Sequence, residues 1–186
     1  MPKKILNLQE KIFEAAWNLF SEKGYDNVDM KAIAKGCDIA VGTLYNYYGN
    51  KKDLFLTVLG ASWTGTFDKI DDAIQKCNDK KECIHKIIEI LYYDIKERRG
   101  MGKYLVENNS FSKEENDKIN EEVLDKIYEV IIKNFELTID ERGIEYKAKK
   151  LTDIIICNVV LLARLYQEED ERNIRFLNQI VDENMV

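Results

Sequence analysis

The chain has 186 residues and a formal net charge of -6, and 45% of its residues are hydrophobic while 33% are charged. Its single proline and nine glycines exclude a β-sandwich, a proline-rich linker protein and a collagen-like repeat. This composition favours a bundle of long helices, and the acidic balance argues against a nucleic-acid partner unless charge is distributed unevenly.

Capping residues along the chain predict nine helices and no strands. Asn7, Asp29 and Asn50 are predicted N-caps, Asp53 occupies the capping-box position after Asn50, and Gly24 ends the first helix. Hydrophobic residues recur at helical spacing between these signals. With their caps, the predicted helices span residues 7–24, 29–35, 40–48, 50–77, 80–98, 103–108, 112–135, 145–167 and 171–183.

The N-terminus and the longest apolar run predict a cytoplasmic protein. No long apolar segment follows Lys3 and Lys4, so this region does not have the pattern of a signal peptide. The apolar run 154–163 contains Asn158 and is shorter than the ~20 residues that a membrane span needs. The four cysteines are scattered, and we expect them to be reduced thiols.

Residues 28–55 predict a helix-turn-helix. The tight turn Gly36–Ile39 joins two short helices, and the second helix of such a motif enters the DNA major groove. The pair would be held together by Ile33, Ala34, Ile39 and Leu44. The outward face of the second helix is aromatic and hydroxyl-bearing and contains no acid: Val41, Thr43, Tyr45, Asn46 and Tyr47.

This segment resembles the DNA-binding domain of the TetR family of bacterial transcriptional regulators. The resemblance covers about the first 60 residues, and beyond them it depends on length and helix count. It is carried by Ile12, Ala15, Ala16, Leu19, Phe20, Gly24, Tyr25, Ile33, Ala34, Gly42, Thr43, Leu44, Tyr45, Tyr47, Tyr48, Lys51, Leu54 and Phe55.

The resemblance implies a fold and a function. The fold would be all-α, with a three-helix helix-turn-helix DNA-binding domain at 1–50 and a helical effector-binding and dimerisation domain at 51–186. The function would be that of a one-component regulator, most simply a repressor. It would bind a pseudo-palindromic operator on double-stranded DNA as a homodimer and be released by a small-molecule effector of unknown identity.

The resemblance also implies which residues contact DNA. Thr43 and Val41 would face base edges, while Tyr45, Tyr47 and Lys51 would contact phosphates. The complete predicted DNA-binding set is Lys3, Lys4, Lys31, Val41, Gly42, Thr43, Tyr45, Asn46, Tyr47 and Lys51.

Three positions depart from the family pattern. Tyr47 replaces the usual histidine, although a phenol can still donate to a phosphate. Asp38 replaces the usual glycine of the turn, and Asp tolerates the left-handed conformation better than most residues. Ala40 replaces the usual Ser or Thr N-cap, at a cost of about 1 kcal/mol.

Charge is distributed unevenly along the chain, which removes the objection to a DNA partner. Residues 1–60 have a net charge of +1, and the remainder has a net charge of -7. No arginine precedes Arg98, so the first domain lacks the guanidinium group that donates two hydrogen bonds to guanine O6 and N7. Val41 and Thr43, in contrast, suit apolar contact with thymine methyl groups. We therefore predict an operator rich in A·T at contacted positions; a lysine-biased composition without functional meaning is the alternative.

The remaining predictions concern an effector pocket and a dimer interface. The aromatic residues proposed to line the pocket, each of which could instead belong to the hydrophobic core, are Trp63, Phe67, Tyr92, Tyr93, Tyr104, Phe111, Tyr128 and Phe135.

The last two helices would form the dimer interface, unless the chain is a monomer with one deeply buried helix. The proposed interface residues are Ile155, Val159, Leu162, Tyr166, Ile174, Leu177 and Val181.

Two other classes of protein are alternatives to a regulator. An all-α enzyme finds no support, because the chain has one histidine and no nucleophile–base, HExxH or phosphate-loop motif. A helical ligand-sensing or protein-interaction module without DNA binding is the second alternative.

Cys83 and His85 are close in sequence but lack the second pair of ligands that a metal site needs, so we expect no metal and no cofactor.

Overall fold

The computed structural model describes residues 2–101, 123–131 and 141–184, with side chains throughout these segments except at residues 2–7, 141–148, 151 and 184. The described residues form eight helices, and no strand occurs among them. The predicted all-α fold class is confirmed. In chain order the helices are α1 (Pro2–Lys23), α2 (Met30–Gly36), α3 (Val41–Tyr47), α4 (Lys51–Ile74), α5 (Lys80–Arg98), α6 (123–131), α7 (Glu141–Leu165) and α8 (Asp170–Asn184).

Most helix ends fall close to their predicted positions. The predicted span of α5 matches the observed one, and α7 and α8 agree within a few residues. The predicted start of α1 at Asn7 is wrong, because the helix begins at Pro2. Proline favours the first helical position, where its missing N–H would have no helical partner. The predicted helix at 103–108 lies outside the described residues.

The chain divides into two compact units. The first contains residues up to Gly65 together with Arg98–Met101, and the second contains Thr66–Glu97 and the described residues beyond Met101. This division is structural; the predicted functional boundary at residue 50 stays a prediction. The core of the first unit is built from apolar residues of α1 to α4: Ile12, Ala16, Phe20, Ile33, Leu44, Leu54, Phe55 and Val58.

The short segment Arg98–Met101 completes the first unit. The Arg98 side chain is only 2% exposed and lies over the Trp63 ring, 4.0 Å from its centroid. Its Nε donates to Ser62 Oγ at 3.0 Å, and its Nη2 donates to the Ser62 carbonyl at 2.8 Å. Gly100 packs so closely on the end of α1 that a Cβ there would lie 2.7 Å from the Gly24 backbone nitrogen. These contacts make the segment part of the N-terminal core.

The second unit is built on α5, whose inner face is buried. Ile84, Ile87, Ile88 and Leu91 are at most 1% exposed. They recur at helical spacing, so one face of α5 is apolar and the opposite face is charged. Among the described residues, no helix combines the length and apolarity needed to cross a membrane.

Candidate nucleic-acid interface

The turn between α2 and α3 has the geometry that the sequence predicted. Asp29 caps α2, since its Oδ1 accepts a hydrogen bond from Ala32 N at 2.7 Å. Asp38 adopts the left-handed conformation, with φ of 56°. Ala40 stands at the N-cap of α3 in an extended conformation and makes no side-chain capping bond. The turn therefore forms despite both departures from the family pattern.

Packing fixes the position of α3. Ile33, Ala34 and Leu44 are at most 2% exposed, as expected for residues between the two helices. Gly36 lies against α1, where an added Cβ would come within 3.3 Å of the Ala15 Cβ. Because these contacts bury one side of α3, its other side faces outward.

The outward face of α3 is polar and aromatic and has no charged side chain. Tyr45 is 50% exposed and Asn46 is exposed, while Val41, Thr43 and Tyr47 are half-buried. Gly42 faces open space, because a Cβ built on it would meet no atom within 4 Å. This surface offers hydrogen-bond donors and methyl groups, and at Gly42 no side chain covers the backbone. Such a surface can approach base edges and phosphates closely.

Lys51 is held by the turn that follows α1. Its Nζ donates to the Tyr25 carbonyl at 2.8 Å and lies 4.0 Å from the centroid of the Tyr25 ring. That ring packs on Phe55, and Phe55 packs on Phe20 in an edge-to-face pair. Lys51 therefore joins the turn after α1 to α4, and its predicted contact with phosphate stays a prediction.

The first turn of α4 is capped as predicted. Asn50 Oδ1 accepts from Asp53 N, and Asn50 Nδ2 donates to Asp53 Oδ2, both at 2.9 Å. The other predicted DNA-binding lysines lie on α2 and α1. Lys31 is exposed on α2. Lys3 and Lys4 lie in the first turns of α1, and their side chains are outside the described set.

The predicted pocket residues have several different environments. Trp63 is buried beneath Arg98 in the first unit, whereas Phe67 belongs to the second unit, with Lys126 Nζ 5.2 Å from its ring centroid. Tyr93 is 42% exposed and Tyr128 is half-buried. Tyr104, Phe111 and Phe135 lie outside the described residues. The effector pocket remains a prediction.

Tyr92 has a structural role that the sequence did not indicate. It is fully buried, and its hydroxyl donates to Asp170 Oδ1 at 2.9 Å and accepts from Asn173 Nδ2 at 2.8 Å. Lys96 Nζ donates to both Asp170 oxygens, at 2.6 and 2.7 Å. Burial is the largest effect on the Asp170 carboxyl and opposes ionisation, but the bonds from Lys96 and Tyr92 together lower its pKa.

An open groove of about 630 Å³ runs between α5 and α8 in the second unit. Tyr93, Glu89 and Glu171 are among its lining residues. His85 also lines it, and its Nε2 is bonded to Asp182 Oδ1 at 2.9 Å. In the part of the chain that the structure describes, no group of three or more His, Cys, Asp or Glu side chains could hold a metal.

The structure distributes the predicted dimer residues over two faces. Ile155, Val159, Leu177 and Val181 are at most 1% exposed, so they belong to this chain's own core. Leu162 and Ile174 are half-buried, and Tyr166 is 48% exposed. A separate exposed stripe on α7 consists of Ile154, Cys157, Leu161 and Leu165, which we call the α7 stripe. The predicted interface residues therefore correspond largely to the inner face of α7 and α8.

A short α2, a tight turn and an α3 with one buried and one outward face define a helix-turn-helix protein. Residues 12–58 match the family described as bacterial regulatory proteins, tetR family. This segment is therefore a DNA-binding segment of the TetR type, and the resemblance inferred from sequence is confirmed over these residues.

Known proteins similar to the chain agree with this assignment. The transcriptional regulator YuxN of Bacillus subtilis, itself uncharacterized, is 32% identical over 91 residues, which cover 49% of this chain and 31% of that protein. The biofilm operon icaADBC negative transcriptional regulator IcaR of Staphylococcus epidermidis is 30% identical over 94 residues, 49% of each chain. The chain thus matches less than half the length of these relatives.

Solved structures match over nearly the whole chain. A protein from Saccharomonospora viridis, solved in complex with choline, superposes with a TM-score of 0.77 over 95% of this chain and 96% of its own. The two sequences are 18% identical, so this likeness concerns the fold.

Proposed function

We propose that this protein is a one-component transcriptional repressor that binds a pseudo-palindromic operator as a homodimer and is released by a small molecule. The observation that carries the proposal is the outward face of α3, where Gly42, Thr43, Tyr45 and Tyr47 present donors and open backbone without any carboxylate. The name of IcaR, a negative regulator, supports repression. An enzymatic activity is not proposed.

DNA binding is tested with fluorescence anisotropy on the DNA upstream of the protein's own gene. Tyr45→Phe and Tyr47→Phe each remove one hydroxyl from α3, and losing a hydrogen bond to phosphate is expected to weaken binding about 5- to 30-fold. Tyr93→Phe is the matched control, since Tyr93 is also exposed but lies on α5. Binding should weaken steeply as salt is raised.

The alternative is a sensing or interaction module without DNA binding. It would be supported by a folded protein that binds neither the upstream fragment nor random DNA at low salt. If the wild type and both α3 variants bound the fragment with equal affinity, this would also show that α3 is not part of the DNA interface.

Homodimerisation is supported by the α7 stripe. Ile154, Leu161 and Leu165 are 47, 51 and 60% exposed and lie on one face of the helix, where water contact with apolar surface is unfavourable. Leu161→Glu combined with Leu165→Glu is expected to give a monomer in sedimentation velocity. Lys149→Glu, exposed on α7 outside the stripe, is the control and should remain dimeric. A wild-type monomer at micromolar concentration would contradict the proposal.

Release by an effector requires a ligand that prefers the conformation unable to bind the operator. The carboxylates of Glu89 and Glu171 beside exposed Tyr93 favour a cationic or amphipathic molecule in the α5–α8 groove. A panel of quaternary amines and neutral amphiphiles is screened for release of labelled operator. A ligand that binds with equal affinity to the free and the DNA-bound protein would not act as an effector.

A further inference from the structure

Gly42 and Asn46 form the line of α3 that lies farthest from the core of the first unit. Leu44 is fully buried and marks the inner side of the helix. Successive helical residues are about 100° apart around the axis, so Gly42 and Asn46 each lie about 160° from Leu44. Thr43 and Tyr45 lie about 100° from Leu44, on the two flanks. In a helix that enters the major groove, the line opposite the core faces the base edges.

The side-chain amide of Asn46 is available for such a contact. Asn46 is exposed, and this amide makes no hydrogen bond with any residue that the structure describes. In the same unit, Asn27 Nδ2 donates to the Lys23 carbonyl at 3.0 Å. Asn50 Oδ1 accepts from Asp53 N at 2.9 Å. Asparagine is also a weaker helix former than alanine, lysine or glutamate, so helix propensity does not explain Asn46.

Gly42 leaves the backbone uncovered one turn before Asn46. A Cβ built on Gly42 would meet no atom within 4 Å, and this residue does not have the positive φ that requires glycine. Glycine is among the least favourable residues inside a helix, and neither crowding nor backbone conformation calls for it here. The short Asn46 side chain reaches a base only when the backbone of α3 comes close to the DNA. Gly42 places no side chain in the way of that approach.

We propose that Asn46 is a specificity-determining residue that recognises one adenine in each half of the operator. This inference rests on the proposed DNA-binding function. The Asn46 side chain has one acceptor and two donors. In the major groove its Oδ1 accepts from the adenine N6 amino group, and its Nδ2 donates to adenine N7.

The other three bases do not match this pair of hydrogen bonds. Guanine presents two acceptors, N7 and O6, so Asn46 Oδ1 would face an acceptor. Cytosine presents only its N4 donor, and thymine presents its O4 acceptor beside a methyl group. A good bidentate contact discriminates against the wrong base by about 5- to 150-fold in affinity.

The first test is position-specific. Selection from a random DNA library defines the preferred operator of the wild-type protein, and fluorescence anisotropy measures binding to versions with each base replaced in turn. We expect one adenine per half-site at which replacement weakens the wild type about 5- to 150-fold. Asn46→Ala should lose the preference at this position and keep it at the others. Asn18→Ala, an exposed asparagine on α1, is the matched control and should keep every preference.

The second test removes single atoms from the base. Replacing that adenine by 7-deazaadenine removes the N7 acceptor, and replacing it by purine removes the N6 amino group. Each analogue should weaken the wild type and the Asn18→Ala control, yet leave Asn46→Ala unaffected because the bond is already missing. Circular dichroism verifies that the variants fold.

Gly42→Ala tests the close approach of α3 to DNA. The added methyl group meets nothing in the structure, so the variant should be at least as stable as wild type in thermal unfolding. Its affinity for the operator should nevertheless fall at least about 5-fold, because the methyl group lies between the helix and the bases. Gly60→Ala, which also adds a Cβ in open space but on α4, should leave the affinity unchanged.

The outcomes separate this inference from the proposed function. If Asn46→Ala kept the base preference of the wild type at every position, or responded equally to the adenine analogues, adenine recognition by Asn46 would be overturned while DNA binding stands. Equal operator affinities of Gly42→Ala and Gly60→Ala would likewise exclude the close approach. A wild-type protein that binds neither selected nor random DNA at low salt would overturn the DNA-binding function itself.

Discussion

The guanidinium of Arg98 lies 4.0 Å from the centre of the Trp63 ring and donates two hydrogen bonds to Ser62. Arg98 is among the largest fully buried side chains described, although it is charged. Burying a charged side chain costs hydration free energy unless hydrogen bonds and other polar contacts compensate for it. The contacts with Ser62 and Trp63 therefore allow the Arg98 guanidinium to be buried. The segment after α5 is thereby fixed to the same core that supports α3.

Arg98→Met removes the hydrogen bonds and the stacking on Trp63. We expect a loss of about 3 kcal/mol in the free energy of unfolding. Urea unfolding at fixed protein concentration measures it, since dimerisation affects apparent stability. Arg172→Met is the control: that arginine is 83% exposed, and its loss should cost under about 0.5 kcal/mol. Equal effects of the two substitutions would show that the Arg98 contacts are dispensable.

Gly100→Ala and Gly60→Ala are expected to change stability in opposite directions. At Gly100 a Cβ would meet the Gly24 backbone at 2.7 Å, so the substitution should cost about 2 kcal/mol. At Gly60, inside α4, a Cβ meets no atom within 4 Å, and alanine should stabilise the helix by about 0.5–1 kcal/mol. Thermal unfolding of both variants checks the signs, and stabilisation by alanine at Gly100 would disprove the close approach.

Asp170 is expected to make stability depend on acid pH. Its pKa is lowered in the folded chain, so its carboxylate stabilises the fold above the unfolded value of about 3.9. This stabilisation is lost as the pH falls through the lower folded value. Asp170→Asn should therefore be less stable than wild type at pH 7, and the difference should shrink below pH 4. Thermal unfolding between pH 7 and 3 measures this, with exposed Asp71→Asn as the control.

Ala40→Ser is expected to stabilise the first unit. Ala40 has the extended backbone of an N-cap but no oxygen to accept a bond from the first turn of α3. A serine supplies that acceptor, which is worth about 1 kcal/mol. Chemical denaturation compares it with Ala40→Val, which adds bulk without an acceptor. If valine stabilised the protein as much as serine, the gain would not come from capping.

The operator is expected to be rich in A·T at contacted positions. The described outward face of α3 has no arginine to bind guanine, and Val41 and Thr43 offer apolar contact to thymine methyl groups. Selection from a random DNA library identifies the preferred sequence. A strongly G·C-rich consensus would contradict this expectation.

Local signals in the sequence predicted much of the fold. Asp29 caps α2, Asn50 and Asp53 cap α4, and Gly24 ends α1 with φ of 75°, all as expected. Asp38 adopts the left-handed conformation anticipated for it. Each of these caps and turns depends on residues within three or four positions of one another, so it can be predicted from the local sequence.

Contacts between distant residues were not predictable in this way. Tyr92 is predicted to line the pocket because it is aromatic, and its bond to Asp170, 78 positions further along the chain, is a contact that no local pattern indicates. For α7, an apolar pattern on nearly every side could not show which face is internal. Ile155 and Val159, whose place in a dimer interface stays a prediction, are buried within the chain, while the neighbouring Ile154 is exposed. Only tertiary packing distinguishes such faces.

The exposed thiol of Cys157 within the α7 stripe has a practical consequence. If two copies associate through this stripe, each subunit shields the other's sulfur from a maleimide dye. The labelling rate would then rise on dilution as subunits separate. With the half-buried Cys77 replaced by serine, Cys157 therefore lets the chain report its own state of assembly, at concentrations too low for sedimentation.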